Sequence, residues 1–322
     1  MKIALSVVMA GGIVYSSLSY ASAPGWPDKI RIGFQKGGSL VLLKSSGELE
    51  KSLAAKKVSV EWKEFAFGPP MVEALNAGSV DIGFVGSPPP VFAQAGAAPD
   101  LVYVGYGQPT GKGYGIVVKD TSPVKDFTQL KGKRIGVAKG SAGEYFLLQA
   151  LEKHHIPLSQ IKESYLGYSE ARAAWEQGYI DAWVVPDPRL ADAEINSNAR
   201  IVLTAADVDP QYNFYISPAS FAHQYPQAAV AVLAAINTIE KQIEKNPDRA
   251  AILLAKDTRL TEAVWQKSLR RQSWGVGWPL SEKVIANQQQ VAELFYRYHM
   301  IPAKVNVREI VASLPASATP AQ

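Results

Sequence analysis

The stretch RIGFQKGGS occupies Arg31–Ser39, and RIGVAKGSAG occupies Arg134–Gly143. Both read Arg-Ile-Gly, two residues, Lys-Gly, then a serine. A second pair follows: EALNAGSVDIGFVGSPPP begins at Glu73 and AAWEQGYIDAWVVPDPR at Ala173. Gly78 and Gly178, Asp81 and Asp181, Val85 and Val185, and Pro88 and Pro188 each stand 100 residues apart. The repetition predicts two lobes of similar build, each supplying the same kinds of loop to a shared cleft.

Size agrees with this division. A single core stops growing at about 250–300 residues, and the chain has 322. With 47% hydrophobic and 19% charged residues, the balance is that of an ordinary globular protein. The net charge of +4 is spread over scattered lysines, with no basic stripe and no nucleic-acid motif, so DNA and RNA are excluded as partners.

MKIALSVVMAGGIVYSSLSYASAPG, Met1–Gly25, has a lysine, a short apolar run from Ile3 to Tyr15 and then small residues. It reads as a secretory signal peptide, residues 1–21, with cleavage after Ala21. The run is too short for a membrane span. The chain has no cysteine, which excludes a lipoprotein anchor, disulfides and thiolate chemistry. A soluble, monomeric periplasmic protein is expected.

Apolar runs alternate with helical patterns. Ile30–Phe34, Val58–Phe65, Val80–Val85 and Leu101–Gly105 read as strands, with helices over Ser39–Leu53 and from Gly68 to Gly78. Ser87-Pro-Pro-Pro stops the third strand. Gly115–Val118 and Asn213–Ser217 read as strands crossing between lobes. Between them Arg134–Val137 and Ile180–Val185 repeat the strand pattern, with helices over Glu144–Lys153 and Ser169–Gln177, and from Pro226 onward the chain is mostly helical. The lobes are therefore 22–108 with 214–322, and 109–213. Alternation of this kind means α/β units with largely parallel sheets, in which ligands bind beyond the carboxyl ends of the strands.

Both Lys-Gly loops open a helix at such a strand end. A helix N-terminus offers unpaired N–H groups and a partial positive charge, which suits an anion. Ser39 and Ser141 add hydroxyls. The same loops also serve as plain helix caps, and Ser141-Ala-Gly-Glu144 fits a capping box in which Glu144 returns to the N–H of residue 141. Alternatively, Glu144 would receive the ammonium of a zwitterionic ligand. Asp81 and Asp181, just after a glycine turn, read as hydrogen-bond partners that stabilise each lobe.

RIGFQKGGS, GPPMVEALNAGSVDIGFVGSPPPVFAQAGAAPDLVYVG, VAKGSAG, YIDAWVVPDP and ELFYRYHMIPAKV together resemble the substrate-binding proteins of aliphatic sulfonate ABC transporters. The chain is similar also to the taurine and nitrate members of that group. The resemblance implies a type II periplasmic binding protein fold, in which two α/β lobes joined by two crossing strands close over the ligand. It implies an aliphatic sulfonate as ligand and an ABC permease, with its ATPase, as partner. By motif match the ligand-binding residues would be Gln35, Gly38, Ser39, Gly86, Ser87, Pro88, Ser141, Ala142, Gly143, Trp183, Asp187 and, on the hinge side, Tyr215. Trp183 reads at least as readily as core packing on its strand, Asp187 as the organiser of a turn between two prolines, and Tyr215 as part of a crossing strand. The family pattern has an acid where Ser87 stands, a more polar run where Ala142-Gly143-Glu144 stands, and a tryptophan where Pro186 stands.

An enzyme is the rival class. Of the four histidines, His154 and His155 end a helix, His223 precedes Gln-Tyr-Pro and His299 lies near the end of the last helix. None falls in a motif loop, and no Ser-His-Asp set or metal-ligand spacing is present. The reading is therefore a binding protein without catalytic residues, cofactor or metal.

Overall fold

The computed structural model of the chain describes residues 22–96 and 100–316. The expected signal peptide, residues 1–21, lies outside them. The strands in chain order are β1 (Lys29–Phe34), β2 (Ser59–Glu64), β3 (Ile82–Gly86), β4 (Val102–Gly107), β5 (Tyr114–Lys119), β6 (Arg134–Val137), β7 (Lys162–Tyr165), β8 (Ala182–Pro186), β9 (Ala199–Thr204), β10 (Asn213–Ser217) and β11 (Val276–Gly277). They form one six-stranded sheet, β11-β4-β10-β3-β1-β2, and one five-stranded sheet, β7-β6-β8-β5-β9.

The two sheets share one plan. In the first, β1 pairs parallel with β2 and β3. In the second, β6 pairs parallel with β7 and β8. Beside β3 lies antiparallel β10, and beside β8 lies antiparallel β5. Next outward come β4 and β9, each antiparallel to its crossing strand. In each sheet the strand that immediately follows a crossing, β10 or β5, is inserted between the parallel set and an outer strand. The sheets are mixed rather than largely parallel, because β10 and the short β11 run against the other strands of the first sheet and β5 runs against the other strands of the second. The two crossings touch where the N–H of Thr110 donates to the carbonyl of Gln211 at 3.0 Å.

The helices are α1 (Gly38–Ser46), α2 (Glu48–Ala54), α3 (Gly68–Asn76), α4 (Pro88–Ala95), α5 (Ala142–Lys153), α6 (Tyr168–Glu176), α7 (Arg189–Asn196), α8 (Ala219–Gln224), α9 (Pro226–Lys245), α10 (Pro247–Asp257), α11 (Glu262–Arg270) and α12 (Glu282–Arg297). The helix expected over Ser39–Leu53 is two, because Gly47 adopts a left-handed φ of 64° and ends α1. The triple proline after Ser87 ends β3 and starts α4, since proline lacks an N–H that the first helical turn does not use.

Packing explains the repeated glycine of Arg-Ile-Gly. A Cβ on Gly33 would stand 3.1 Å from Met71 and 3.2 Å from Val80, and one on Gly136 would stand 2.3 Å from Ile180. Strand and helix approach closely only where that side chain is missing. The core is buried aliphatic and aromatic residue on both faces of both sheets, with Trp175, Trp183, Trp265, Tyr103, Phe146 and Phe295 among its largest members.

Candidate functional site

Beyond the carboxyl ends of β1, β3, β6 and β8 lies a cavity of about 140 Å³ between the two sheets. Its wall is made largely of helix beginnings. Gly37, Gly38 and Ser39 come from α1, Gly68 from α3, Pro89 from α4, Ser141 and Ala142 from α5, Tyr168 from α6, and Pro188 and Arg189 from α7. Helix starts aimed at one point sum their partial positive charges there. No side chain caps α1, α3 or α7 at its N-cap residue, so main-chain donors remain at those starts.

Gly38 is required twice over. Its φ is +52°, and a Cβ there would stand 3.1 Å from the Trp274 ring. At the second Lys-Gly loop Gly140 has a φ of +67°. Across the cavity a Cβ on Gly86 would stand only 2.7 Å from that of Ala142, so the two sides meet in contact at this point. The rings of Phe67 and Tyr168 meet edge to face at 6.3 Å, also across the cavity.

Four charged side chains reach the wall. Lys36 pairs with Glu64 at 3.4 Å on the exposed rim. Asp187 is held by Arg271. Glu240 is buried, and it accepts from the Ser39 hydroxyl at 2.9 Å, the Tyr215 hydroxyl at 3.2 Å and the N–H of Gly275 at 2.7 Å. Burial pushes its carboxyl above the ordinary range, and the three donors oppose that rise. Arg189 lies over the Tyr168 ring at 4.9 Å and forms no ion pair among the described residues. It leaves a cation facing the cavity, on the first turn of α7.

Of the sequence-predicted residues, Gln35, Gly38, Ser39, Gly86, Ser141, Ala142 and Asp187 line the cavity. Gln35 donates from Nε2 to the Phe84 carbonyl at 3.1 Å, which fixes it against β3. The other five stand behind the wall. Ser87 is fully buried, and its carbonyl accepts from Gln288 at 2.6 Å. Pro88 is buried at the start of α4, and its neighbour Pro89 takes the wall position against Gly68. Gly143 faces Val184, whose side chain a Cβ would meet at 3.3 Å. Trp183 points to the opposite face of β8 and packs on Trp175 with ring centres 6.2 Å apart. Tyr215 sits under the site, reaching it through its hydroxyl on Glu240 and through its ring, 5.0 Å from that of Phe84.

Glu144 is buried and lies outside the wall. Ser141 Oγ accepts from its N–H at 3.3 Å, and its Oε2 accepts from the N–H of Gly140 at 2.6 Å. The cap is therefore real, but the carboxylate returns one residue earlier than the capping-box pattern predicts. Burial raises its carboxyl above the usual range, against the pull of the Gly140 N–H.

Sequence reasoning missed Arg189, although it directly follows the Pro-Asp-Pro turn. It also missed Phe84, Tyr114 and Tyr168, and the whole segment Gln272-Ser273-Trp274, which closes one side of the wall.

Two lobes on a shared plan, bridged by two crossings and enclosing a cavity of helix N-termini, define a periplasmic binding protein of type II. The chain matches the model of the "NMT1/THI5 like" family over residues 56–250. It is 36% identical over 310 residues to an Escherichia coli (strain K12) protein named for aliphatic sulfonates binding, covering 96% of each chain. A Bacillus subtilis (strain 168) protein named in the same way is 30% identical, over 88% of this chain and 85% of its own. The structure of the alkanesulfonate-binding protein from Xanthomonas axonopodis pv. citri, bound to MOPS, superposes with a TM-score of 0.85 at 35% identity, covering 89% of this chain and 98% of that one. The chain belongs to the aliphatic sulfonate-binding proteins of the NMT1/THI5-like family.

Proposed function

We propose that the protein captures an aliphatic sulfonate in the periplasm and delivers it to an ABC importer. The observation that carries this reading is the convergence of helix starts α1, α3, α5, α6 and α7 on one cavity that also holds Arg189. Main-chain N–H groups and the guanidinium would hold the sulfonate oxygens. Phe84, Tyr114, Trp265 and Trp274 would take the carbon chain. Ligand held from both sides favours the closed arrangement, and closure turns on the crossings near Thr110 and Gln211.

On this reading residues 1–21 are the export signal, and the mature monomer has lobes 22–108 with 214–322 and 109–213. Among the described residues no helix is long and apolar enough to cross a membrane. The protein performs recognition without chemistry.

A thermal-shift panel of ethanesulfonate, longer alkanesulfonates, taurine, sulfate and nitrate tests the proposal, since a ligand of the native state raises the melting temperature. Alkanesulfonates are expected to give the largest shifts and to be recovered unchanged. A larger shift with nitrate, or turnover of the bound sulfonate, would overturn it.

A further inference from the structure

Asp187 poses a problem for an anion site, because it is a carboxylate in the wall. Its side chain is 1% exposed, and Arg271 is 13% exposed. Arg271 donates from Nε to Oδ2 at 2.6 Å and from Nη2 to Oδ1 at 2.8 Å. Oδ1 also accepts from the N–H of Ala191 at 3.1 Å, inside α7. The third guanidinium nitrogen of Arg271 donates to Glu194 at 2.7 Å, and Glu194 meets Lys267 at 3.0 Å. Two cations and two carboxylates thus form a neutral group. Lys267 and Arg271 come from α11 and the turn after it, packed on α10, while Asp187 and Glu194 come from the end of β8 and from α7.

Resting on the anion-site reading above, we propose that Arg271 is a positioning residue that masks the charge of Asp187. It turns both carboxylate oxygens away from the cavity and cancels their field, so that a sulfonate can bind beside an acid. The carboxylate in turn is kept because it holds the first turn of α7, which carries Arg189. A mechanical strut between the two sides would look similar, but the two roles differ in sign. Arg271→Met leaves the group with a net negative charge beside the bound anion. Asp187→Asn leaves it net positive, keeps the two bonds that Oδ1 accepts, gives up the one at Oδ2 and leaves the Arg271–Glu194 tie across the cleft intact.

Calorimetric titration of ethanesulfonate into wild type, Arg271→Met, Asp187→Asn and the double variant decides between them, with a melt of each variant to establish folding. Arg271→Met is expected to weaken binding about tenfold or more, as an uncompensated charge a few ångströms from an anion in a partly desolvated site would. Asp187→Asn should bind as tightly as wild type or tighter, and the double variant should return to within about threefold of wild type. Weakening by Asp187→Asn comparable to that by Arg271→Met, or a double variant as weak as Arg271→Met, would overturn the masking role. If Arg271→Met does not fold, Asp187→Asn decides alone: binding held or tightened supports masking, and a tenfold loss overturns it. Wild type that ignores ethanesulfonate would remove the sulfonate reading itself, and the masking role with it.

Discussion

Arg31 is bound to Asp81 by three hydrogen bonds, with its main-chain N–H and Nε donating to Oδ2 at 2.7 and 2.9 Å and Nη2 donating to Oδ1 at 2.5 Å. Arg134 makes the same three bonds to Asp181, at 2.8, 3.1 and 3.0 Å. In both places the guanidinium also donates to a glycine carbonyl, of Gly78 or Gly178, and the aspartate N–H returns to the arginine carbonyl. The glycines stand at φ +68° and +80°. One clamp, written twice, joins the first strand of each parallel set to the third. It explains why the two halves share arginine, glycine and aspartate at matched spacing.

The copies differ in exposure, with Asp81 at 6% and Asp181 at 34%. Asp81→Ala is expected to lower stability by about 2 kcal/mol, the scale of hydrogen bonds to a charged group. Asp181→Ala should cost clearly less, because water screens and replaces its bonds. Urea unfolding at constant slope measures both, and equal losses would contradict the argument.

Gly86 and Ala142 set how closely the two sides approach. Gly86→Ala puts a methyl 2.7 Å from the Ala142 Cβ, so closure must stop short. Sulfonate affinity should fall about tenfold, in line with the roughly 1–3 kcal/mol typical of overpacking. Adding Ala142→Gly should restore most of it. Small-angle scattering of the ligand-saturated single variant should show a more open shape than wild type, and identical profiles would rule the wedge out.

Arg189 is the wall's cation without an ion pair among the described residues. Replacing it by glutamine keeps hydrogen-bonding capacity and removes charge. Ethanesulfonate should bind about ten- to a hundredfold more weakly, as for a lost charge-assisted bond. The salt dependence of binding should flatten too, while the melting temperature of the free protein stays near that of wild type. Affinity that survives the change would transfer the anion's binding to the helix starts alone.

Acid should first strengthen and then weaken the fold. Burial raises the carboxyls of Glu144, Glu163, Glu240 and Asp187. In the window between the ordinary carboxylate range and their raised values, the folded state holds more protons than the unfolded one. Stability therefore rises as pH falls from neutrality toward that range. Asp181, Asp207 and Glu176 are held low, by Arg134, Thr204 and Arg172 respectively. Their contribution is present above the ordinary range and is lost as pH drops through their depressed values. Chemical unfolding in steps from pH 7.5 to pH 3 should trace a maximum in weak acid; a monotonic decline would contradict it.

The sheets and the lobes' shared plan were legible because the clamp and the packing glycines need particular residues at fixed spacing. The cavity's glycine loops were legible for the same reason: Gly38 and Gly86 occupy places where a side chain would collide. Trp183 read as core and as ligand contact alike because β8 is buried on both faces, so alternation of polar and apolar residues, which would tell the two faces apart, is absent. Pro186, on the other face, reaches the wall instead. Trp274 and Arg271 come from a turn after α11 with no motif of its own. Only the chain's return across the cleft makes them neighbours of Gly38 and Asp187, and long-range proximity of that kind leaves no local pattern.

The place of β10 between β3 and β4 has a consequence for how the molecule comes into being. When residues 22–108 have left the ribosome, β3 and β4 have no bond to each other, and the slot between them waits for Asn213–Ser217. The second sheet, whose strands all lie between Tyr114 and Thr204, can be completed before then. The first sheet to be synthesised is the last to be finished, and until then it presents two open edges to its surroundings.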